Sequence, residues 1–252
     1  MTTSAERGFT IIEVMLFLAV TGALFAALMI GVGTGVTQQR YLDSVRSFKA
    51  LVQNQYAAVI NTENQNITTQ QCDPSTGAIQ SGARGNWGAS DCVILGRAIV
   101  VRSDNKVEVS SVTAPDMTDN DAARSSNDID VFASYFKPQL ATFDLETVDI
   151  DWESKLMKPD PGTGGMTPVS TEVILILRSP NTGLLRTFVT DNWGSLDLVD
   201  VVTGLTATTP LSLCITNVST GLLPMQMITI DPKIASADAV KLDGGQGTGC
   251  QS

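Results

Sequence analysis

One carboxylate, Glu13, interrupts a long apolar run near the start of the chain, and it is the first residue to which we assign chemistry. The run extends over residues 9–36 and holds no other charged side chain. Placing a charge within an apolar segment of membrane length costs roughly a few kcal/mol even on insertion scales. An intramembrane carboxylate therefore requires a partner, and Glu13 is predicted to act by pairing with a cation.

Four cysteines, all beyond the apolar run, indicate disulfide chemistry. An even number of cysteines outside a membrane is typical of disulfide-bonded domains. Proximity along the chain favours pairing Cys72 with Cys92 and Cys214 with Cys250, and two other connectivities remain open. Buried free thiols are the alternative. A zinc site is disfavoured because no two cysteines have the close C-x-x-C spacing.

The chain lacks the residues of common catalytic sites. Histidine is absent, which excludes Ser-His-Asp and Cys-His catalysis, and no nucleophile elbow, P-loop or dinucleotide-binding motif occurs. Asp149, Asp151 and Glu153 alternate, so a strand would place these carboxylates on one face, as a glycosidase pair requires. A solvated strand edge has the same pattern, and we predict that the protein is not an enzyme.

Aspartates concentrate in one polar segment that offers oxygen ligands to a cation: Asp116, Asp119, Asp121, Asp128 and Asp130. Calcium takes several oxygens from such a segment, but the spacing does not match an EF-hand loop. A polar loop is the favoured interpretation, so no cofactor is expected, and calcium binding is the alternative. The net charge of −10 argues against a general affinity for DNA, which basic patches drive.

The element that positions Glu13 is predicted to be a membrane-spanning helix. A helix over residues 9–36 would be about 42 Å long at about 1.5 Å per residue, which exceeds the roughly 30 Å hydrocarbon core. Arg7 precedes it and favours a cytoplasmic N-terminus. A secretory signal would have a shorter apolar stretch, and a plain membrane anchor leaves Glu13 unexplained.

An amphipathic helix and then strands are predicted beyond the apolar run. Apolar residues recur every three to five positions and form a helical stripe: Val36, Tyr41, Val45, Phe48, Val52, Tyr56 and Val59. Apolar and β-branched runs predict strands over 92–101, 143–152, 171–178, 184–190, 211–217 and 225–230. Residues 115–128 are predicted as a loop. The expected fold is α+β, with a long N-terminal helix packed on an antiparallel β-rich globular domain.

The order of parts at the N-terminus resembles the precursors of type IV pilins and pseudopilins, which carry a class III prepilin leader. A short polar leader ends in Gly8, Phe9 follows it, and Glu13 stands inside the apolar run. The resemblance implies that a prepilin peptidase cleaves after Gly8 and that Phe9 is N-methylated. It also implies that Glu13 neutralises the Phe9 ammonium of a neighbouring subunit. Pairing within one helix, where positions i and i+4 share a face, is the alternative.

The resemblance implies a function and a set of partners as well. The expected function is that of a structural subunit, a major or minor pilin, of a type IV pilus or pilus-like filament. The alternatives are a pseudopilin of a type II secretion or DNA-uptake system, and a single-pass anchored binding or enzymatic domain. The expected partners are other pilin subunits, the prepilin peptidase, an inner-membrane assembly platform and, before assembly, membrane lipid. We expect a single-pass membrane protein before processing and a cell-surface pilus protein afterwards.

Four segments are predicted along the chain: a leader over 1–8, a transmembrane and filament-core helix over 9–36, an amphipathic continuation over 37–62, and an extracytoplasmic β-rich domain over 63–252. Many major pilins have a proline partway along the first helix, whereas no proline precedes Pro74 here. Glycines stand at positions 31, 33 and 35 instead, and each lowers helix stability by up to about 1 kcal/mol. We therefore predict that this stretch bends or melts on assembly.

Overall fold

The computed structural model describes residues 10–61, 70–73, 75–76, 79–81, 92–117, 119–141, 144–150, 154–160, 165–190, 197–204, 210–217, 224–243 and 250. The chain divides into two compact units, Met1–Asp43 and Ser44–Ser252. Helix α1 (Ile11–Ile60) contributes residues to both units.

Residues 11–36 of α1, in the first unit, are mostly apolar and exposed. Its large side chains include Ile11 at 77% exposure, Phe25 at 67% and Met29 at 75%. The helix is long and apolar enough to cross a membrane. It continues without a break through residues 31–35 in the isolated chain, so the bend on assembly stays a prediction.

The part of α1 in the second unit buries one apolar stripe. Val45, Phe48, Val52, Tyr56 and Val59 are at most 4% exposed, which confirms the predicted stripe in this unit. The Tyr56 hydroxyl is hydrogen-bonded to the Thr187 hydroxyl at 3.1 Å. This segment therefore packs on the β-rich domain, and the coarse α+β class is confirmed.

The remaining elements are mostly antiparallel strands with short helices between them. The described strands are β1 (Gln70–Cys72), β2 (Ile79–Ser81), β3 (Cys92–Arg102), β4 (Lys106–Pro115), β5 (Gln139–Leu140), β6 (Glu146–Asp149), β7 (Ser154–Pro159), β8 (Met166–Pro168), β9 (Thr171–Arg178), β10 (Leu185–Thr190), β11 (Leu211–Asn217), β12 (Gln226–Ile230) and β13 (Val240–Asp243). The described short helices are α2 (Asp121–Ser125), α3 (Asp128–Asp130), a π-helix (Val131–Phe136), α4 (Leu198–Gly204) and a 3₁₀ helix (Ala237–Ala239).

A six-stranded antiparallel sheet is the largest sheet of the second unit among the described residues. Its strand order is β10-β9-β3-β4-β5, and β6 also pairs with β4. Strands β3 and β9 are two of its three inner strands, and Ile99 of β3 lies opposite Ile174 of β9. Both faces of these strands are buried. This explains why their sequences are continuous apolar runs rather than alternating ones.

Gly96 marks an irregularity where β3 shifts its register against β4. A Cβ atom at this position would lie 1.9 Å from the backbone oxygen of Ile176 on β9. No side chain fits at that separation, so glycine is required for the close approach of the two strands.

A second, five-stranded sheet has the order β13-β12-β11-β7-β8 and is also antiparallel. One of its faces is buried through Leu213, Ile215 and Ile228, whereas Lys155 and Lys241 on its strands are exposed. This alternation is the usual pattern of a sheet with one face toward water. A separate two-stranded sheet pairs β1 with β2.

A layer of short helices covers one face of the six-stranded sheet, and it corrects the prediction of a loop over residues 115–128. The Asn120 side chain accepts hydrogen bonds from the first turn of α2 at 3.0 and 3.2 Å, and Asn127 caps α3 in the same way. These asparagines are helix caps, although asparagine is also common in loops. Phe132 of the π-helix packs edge-on against Phe188 of β10, with ring centroids 6.2 Å apart.

Candidate functional site

Glu13, the main candidate from the sequence, lies in the first turn of α1 and forms a capping box with Thr10. The backbone N–H and the hydroxyl of Thr10 each donate to Glu13 Oε2 at 3.2 Å, and the Glu13 N–H donates to Thr10 Oγ1 at 3.3 Å. Each residue thus satisfies an unpaired backbone donor of the other. The sequence carries the signal for this motif, Thr10-Ile11-Ile12-Glu13, which the prediction of an ion pair did not use.

The capping box satisfies hydrogen bonds but does not itself neutralise the charge of Glu13. Glu13 has no ion pair to any residue in the described part of the chain. Gly8 and Phe9, the predicted processing residues, lie outside the described residues. The predicted pairing of Glu13 with a Phe9 ammonium therefore stays a prediction.

The apolar segment of α1 also satisfies its polar side chains internally. The Thr21 hydroxyl donates to the Phe17 carbonyl at 2.8 Å, and the Thr37 hydroxyl donates to the Gly33 carbonyl at 3.1 Å. Thr34 bonds in the same way to Gly31 at 3.0 Å. Hydrocarbon offers no hydrogen-bond partner, so internal satisfaction of these hydroxyls suits a helix that leaves water.

The cysteines confirm one of the predicted pairs. Cys214, in the inner strand β11, forms a disulfide with Cys250, and their Cα atoms are 5.9 Å apart. The bond joins the end of the chain to the five-stranded sheet. Cys92 is also disulfide-bonded, but the side chain of Cys72 lies outside the described residues, so the predicted Cys72–Cys92 pair is not described.

Several of the aspartates considered for calcium bond to other protein side chains. Asp119 and Asp121 contact Arg124 at 3.5 and 3.9 Å, and Asp130 accepts from the Asn127 amide at 2.5 Å. Within the described residues, no group of three histidine, cysteine or acidic side chains is placed to hold a metal ion. The geometry therefore gives no support to the calcium interpretation.

Asp128 is the most extensively bonded aspartate of this segment, and it joins the helical layer to the hairpin formed by β9 and β10. It accepts hydrogen bonds from Ser179 Oγ at 2.5 Å and Thr182 Oγ1 at 3.0 Å. Arg186 donates from Nε and Nη2 at 3.1 and 3.0 Å. Burial raises the pKa of Asp128, but these hydrogen bonds from Ser179, Arg186 and Thr182 outweigh burial, and the net pKa is lowered.

Two further polar clusters were not predicted from the sequence. Asp144 accepts from the backbone and the hydroxyl of Ser111 at 3.0 and 2.5 Å and also bonds Arg97. Glu172 of β9 is fully buried and lies 3.5 Å from the ammonium of Lys158 on β7. Both clusters join residues distant in sequence, so no local pattern reveals them.

The acidic residues considered for catalysis are only partly described. Asp149 ends β6 and is exposed, whereas Asp151 and Glu153 lie outside the described residues. The absence of enzymatic activity stays a prediction. No protein-family model, no curated protein and no solved structure matches this chain, so its function is inferred from its residues and its fold.

Proposed function

We propose that the protein is a structural subunit of a type IV pilus or pilus-like filament, processed after Gly8 and assembled through its N-terminal helix. One observation carries this proposal: the apolar part of α1 is exposed, with none of its most apolar stretch buried within the chain. An apolar surface of this size requires lipid or other protein around it. A filament subunit uses both in turn, lipid before assembly and neighbouring helices afterwards.

The position of Glu13 distinguishes this proposal from a plain anchor. A carboxylate in the first turn of α1 would lie near a membrane face, where the ammonium of a newly formed N-terminus at Phe9 would also lie. In a bundle of apolar helices, an unpaired charge is heavily penalised and a paired charge much less. The pair would therefore set the register between subunits rather than supply most of the binding energy.

The proposal assigns a compartment to each part of the chain. The leader would face the cytoplasm, because Arg7 precedes the apolar segment. The β-rich unit would lie outside the cytoplasm, in agreement with the Cys214–Cys250 disulfide. After assembly, this unit would form the filament surface.

Intact mass and N-terminal sequencing of the protein from its native membrane and from a sheared surface fraction test the proposal. We expect a chain that begins at Phe9 with the added mass of one methyl group. A Gly8→Val variant should stay unprocessed, because a side chain at the cleavage position hinders an extended substrate in a narrow site. Ala5→Val adds a comparable side chain within the leader and should be processed normally.

Other outcomes would identify the alternatives. A chain that still begins at Met1 and stays monomeric in the membrane would overturn the proposal and indicate an anchored domain. A chain cut near Gly33 would indicate a secretory signal. A processed chain whose loss abolishes secretion or DNA uptake, without loss of a surface filament, would assign it to a pseudopilus instead.

A further inference from the structure

Two large apolar side chains of the second unit stay exposed on well-defined elements. Among the described residues beyond α1, the exposed large hydrophobic side chains are Leu145 at 50% and Leu184 at 56%. They lie at opposite edges of the six-stranded sheet, Leu184 in the turn before edge strand β10 and Leu145 just before β6. Four strand spacings separate these edges, which is about 19 Å at about 4.8 Å per strand.

The Leu184 turn is held rigidly. The Ser179 N–H donates to the Leu184 carbonyl at 2.9 Å, and the Gly183 N–H donates to the Ser179 carbonyl at 2.9 Å. Gly183 has a φ of +71°, which glycine adopts without strain. Thr182 Oγ1 accepts from the Leu184 N–H at 3.3 Å and donates to Asp128. A side chain on such a turn loses little conformational entropy when it binds a partner.

The Leu145 edge is anchored in a comparable way. The preceding residue, Asp144, accepts from the Ser111 backbone at 3.0 Å and bonds Arg97. The residues that follow, Glu146–Asp149, pair with β4. Both leucines are therefore presented from a fixed backbone rather than from a loose loop.

The charges beside the two leucines have opposite signs. Arg178 is exposed, and its Nη2 lies 4.0 Å from the position that a Cβ of Gly183 would occupy. Glu146 directly follows Leu145 and is also exposed. Neither side chain makes a hydrogen bond or an ion pair within the described parts of the chain. In a protein with a net charge of −10, an exposed cation that pairs with none of the described residues favours contact with a carboxylate of another copy.

We propose that the Leu184 edge (Arg178 and Leu184) of one copy contacts the Leu145 edge (Leu145 and Glu146) of the next copy. The two surfaces differ, so the contact is heterologous and repeats from copy to copy into an open filament or a ring. This inference deepens the proposed function and rests on it, because packing of the N-terminal helices would supply the high local concentration that a small contact needs. The contact would join the β-rich units along the filament surface.

Cysteine cross-linking in the full chain tests the contact. Leu145→Cys and Leu184→Cys are combined in one chain, and intact filaments are treated with a mild thiol oxidant such as diamide. A disulfide requires Cα atoms within about 7 Å, so only a direct contact between the two edges allows a ladder of multimers, at least about tenfold stronger than in either single variant. The described natural cysteines do not interfere, since none of them is free.

A matched control and the competing outcomes make the test decisive. Lys241→Cys combined with Leu184→Cys places the second thiol on an exposed residue of β13, in the other sheet, and should give no ladder. If the wild-type chain forms filaments but the double variant gives no ladder, the contact is overturned and the proposed function stays intact. Dimers from Leu184→Cys alone would show a symmetric contact and overturn the heterologous one. Absence of wild-type filaments would overturn both proposals.

Charge reversal supplies an independent measurement. Arg178→Glu and Glu146→Arg should each lower the yield of sheared filaments by roughly tenfold, because each places like charges opposite one another. The two substitutions combined restore the opposite pairing and should restore the yield. Equal losses in the singles and a further loss in the combined variant would overturn the contact.

Discussion

The Glu13 carboxylate has two roles at the start of α1, and variants of Glu13 and Thr10 separate them. The carboxylate caps the helix through Thr10, and under the proposed function its charge pairs with an ammonium of a neighbour. Glutamine also serves in a capping box, so Glu13→Gln removes the charge and keeps the cap. We expect this variant to be processed normally but to lower filament yield at least tenfold, since breaking a buried pair costs about 3–5 kcal/mol.

The matched control for Glu13→Gln is Thr10→Val, which removes the cap and keeps the charge. Losing an N-cap costs about 1 kcal/mol of helix stability, so filament yield should fall much less than in Glu13→Gln. Filament yield is measured in the sheared fraction, with processing followed by intact mass. A larger loss in Thr10→Val than in Glu13→Gln would show that the cap, rather than the charge, is required.

A second prediction at the residue scale concerns Asp128 and the pH dependence of the free energy of unfolding. Its pKa in the folded protein lies below the ordinary value of 3.8, so its contribution to stability is fully present above that value and is lost as the pH falls through the folded pKa. Asp128→Asn should lower the free energy of unfolding by about 1–3 kcal/mol at pH 7. The difference from the unmodified protein should shrink below about pH 4.

The control for Asp128→Asn is Asp119→Asn. Asp119 also faces an arginine, at 3.5 Å, but its side chain is fully exposed, and surface pairs of this kind contribute little. Thermal unfolding of the detergent-solubilised full chain, followed by near-UV circular dichroism across pH, measures both variants. Equal effects of the two substitutions at pH 7 would contradict the role given to Asp128.

At the scale of elements, the strands that the sequence pattern identifies most clearly are those buried on both faces. Residues of β3 and β9 belong to the same buried core cluster as residues of the helical layer, and each strand is an apolar run that a sequence pattern detects. Strand β4 is buried as deeply, but it contains the buried polar residues Ser110, Ser111 and Thr113. Such residues weaken the apolar signal, and this strand was not predicted.

At the same scale, we make a prediction about the three clustered glycines of helix α1. An added Cβ at Gly31, Gly33 or Gly35 would meet nothing within 4 Å, so alanine fits the isolated subunit. Replacing all three by alanine should stabilise the helix by up to about 1 kcal/mol for each position. If the stretch bends or melts on assembly, the triple variant should assemble poorly while its processing stays normal, as judged by filament yield and intact mass.

Gly22 supplies the control for this prediction, because it lies in the same helix and has equally open surroundings. Gly22→Ala should change filament yield little. Cryo-electron microscopy of the filament gives the direct measurement. A straight, continuous helix through residues 31–35 in the assembled state would refute the prediction.

At the scale of the whole molecule, the Cys214–Cys250 disulfide ties the end of the chain to an inner strand and closes a loop that contains β12 and β13. The sequence separation of 36 residues corresponds to about 4 kcal/mol in the chain-entropy model. Replacing both cysteines by alanine should therefore lower the melting temperature by roughly 10 °C. Calorimetry of the full chain checks this value, and an unchanged melting temperature would mean that the sheet holds its C-terminal strands without the disulfide.

The sequence by itself predicts the features that depend on local periodicity and composition. The length and apolarity of residues 9–36 identify a membrane-length helix, the spacing of Val45, Phe48, Val52 and Tyr56 identifies the buried stripe, and apolar runs identify β3 and β9. Proximity of cysteines correctly pairs Cys214 with Cys250. Each of these features depends on neighbours within a few turns or strands, or on a simple count.

Only the tertiary structure decides the contacts between distant parts of the chain. Asp128 meets residues 51 to 58 positions away, and it changes from a candidate calcium ligand into the residue that fastens the helical layer to a hairpin. Leu145 and Leu184 lie at opposite edges of one sheet only because of the order in which the strands pair. The physical reason is that a local sequence pattern indicates which face of a helix or strand is buried. Strand order and register determine which residues that face contacts.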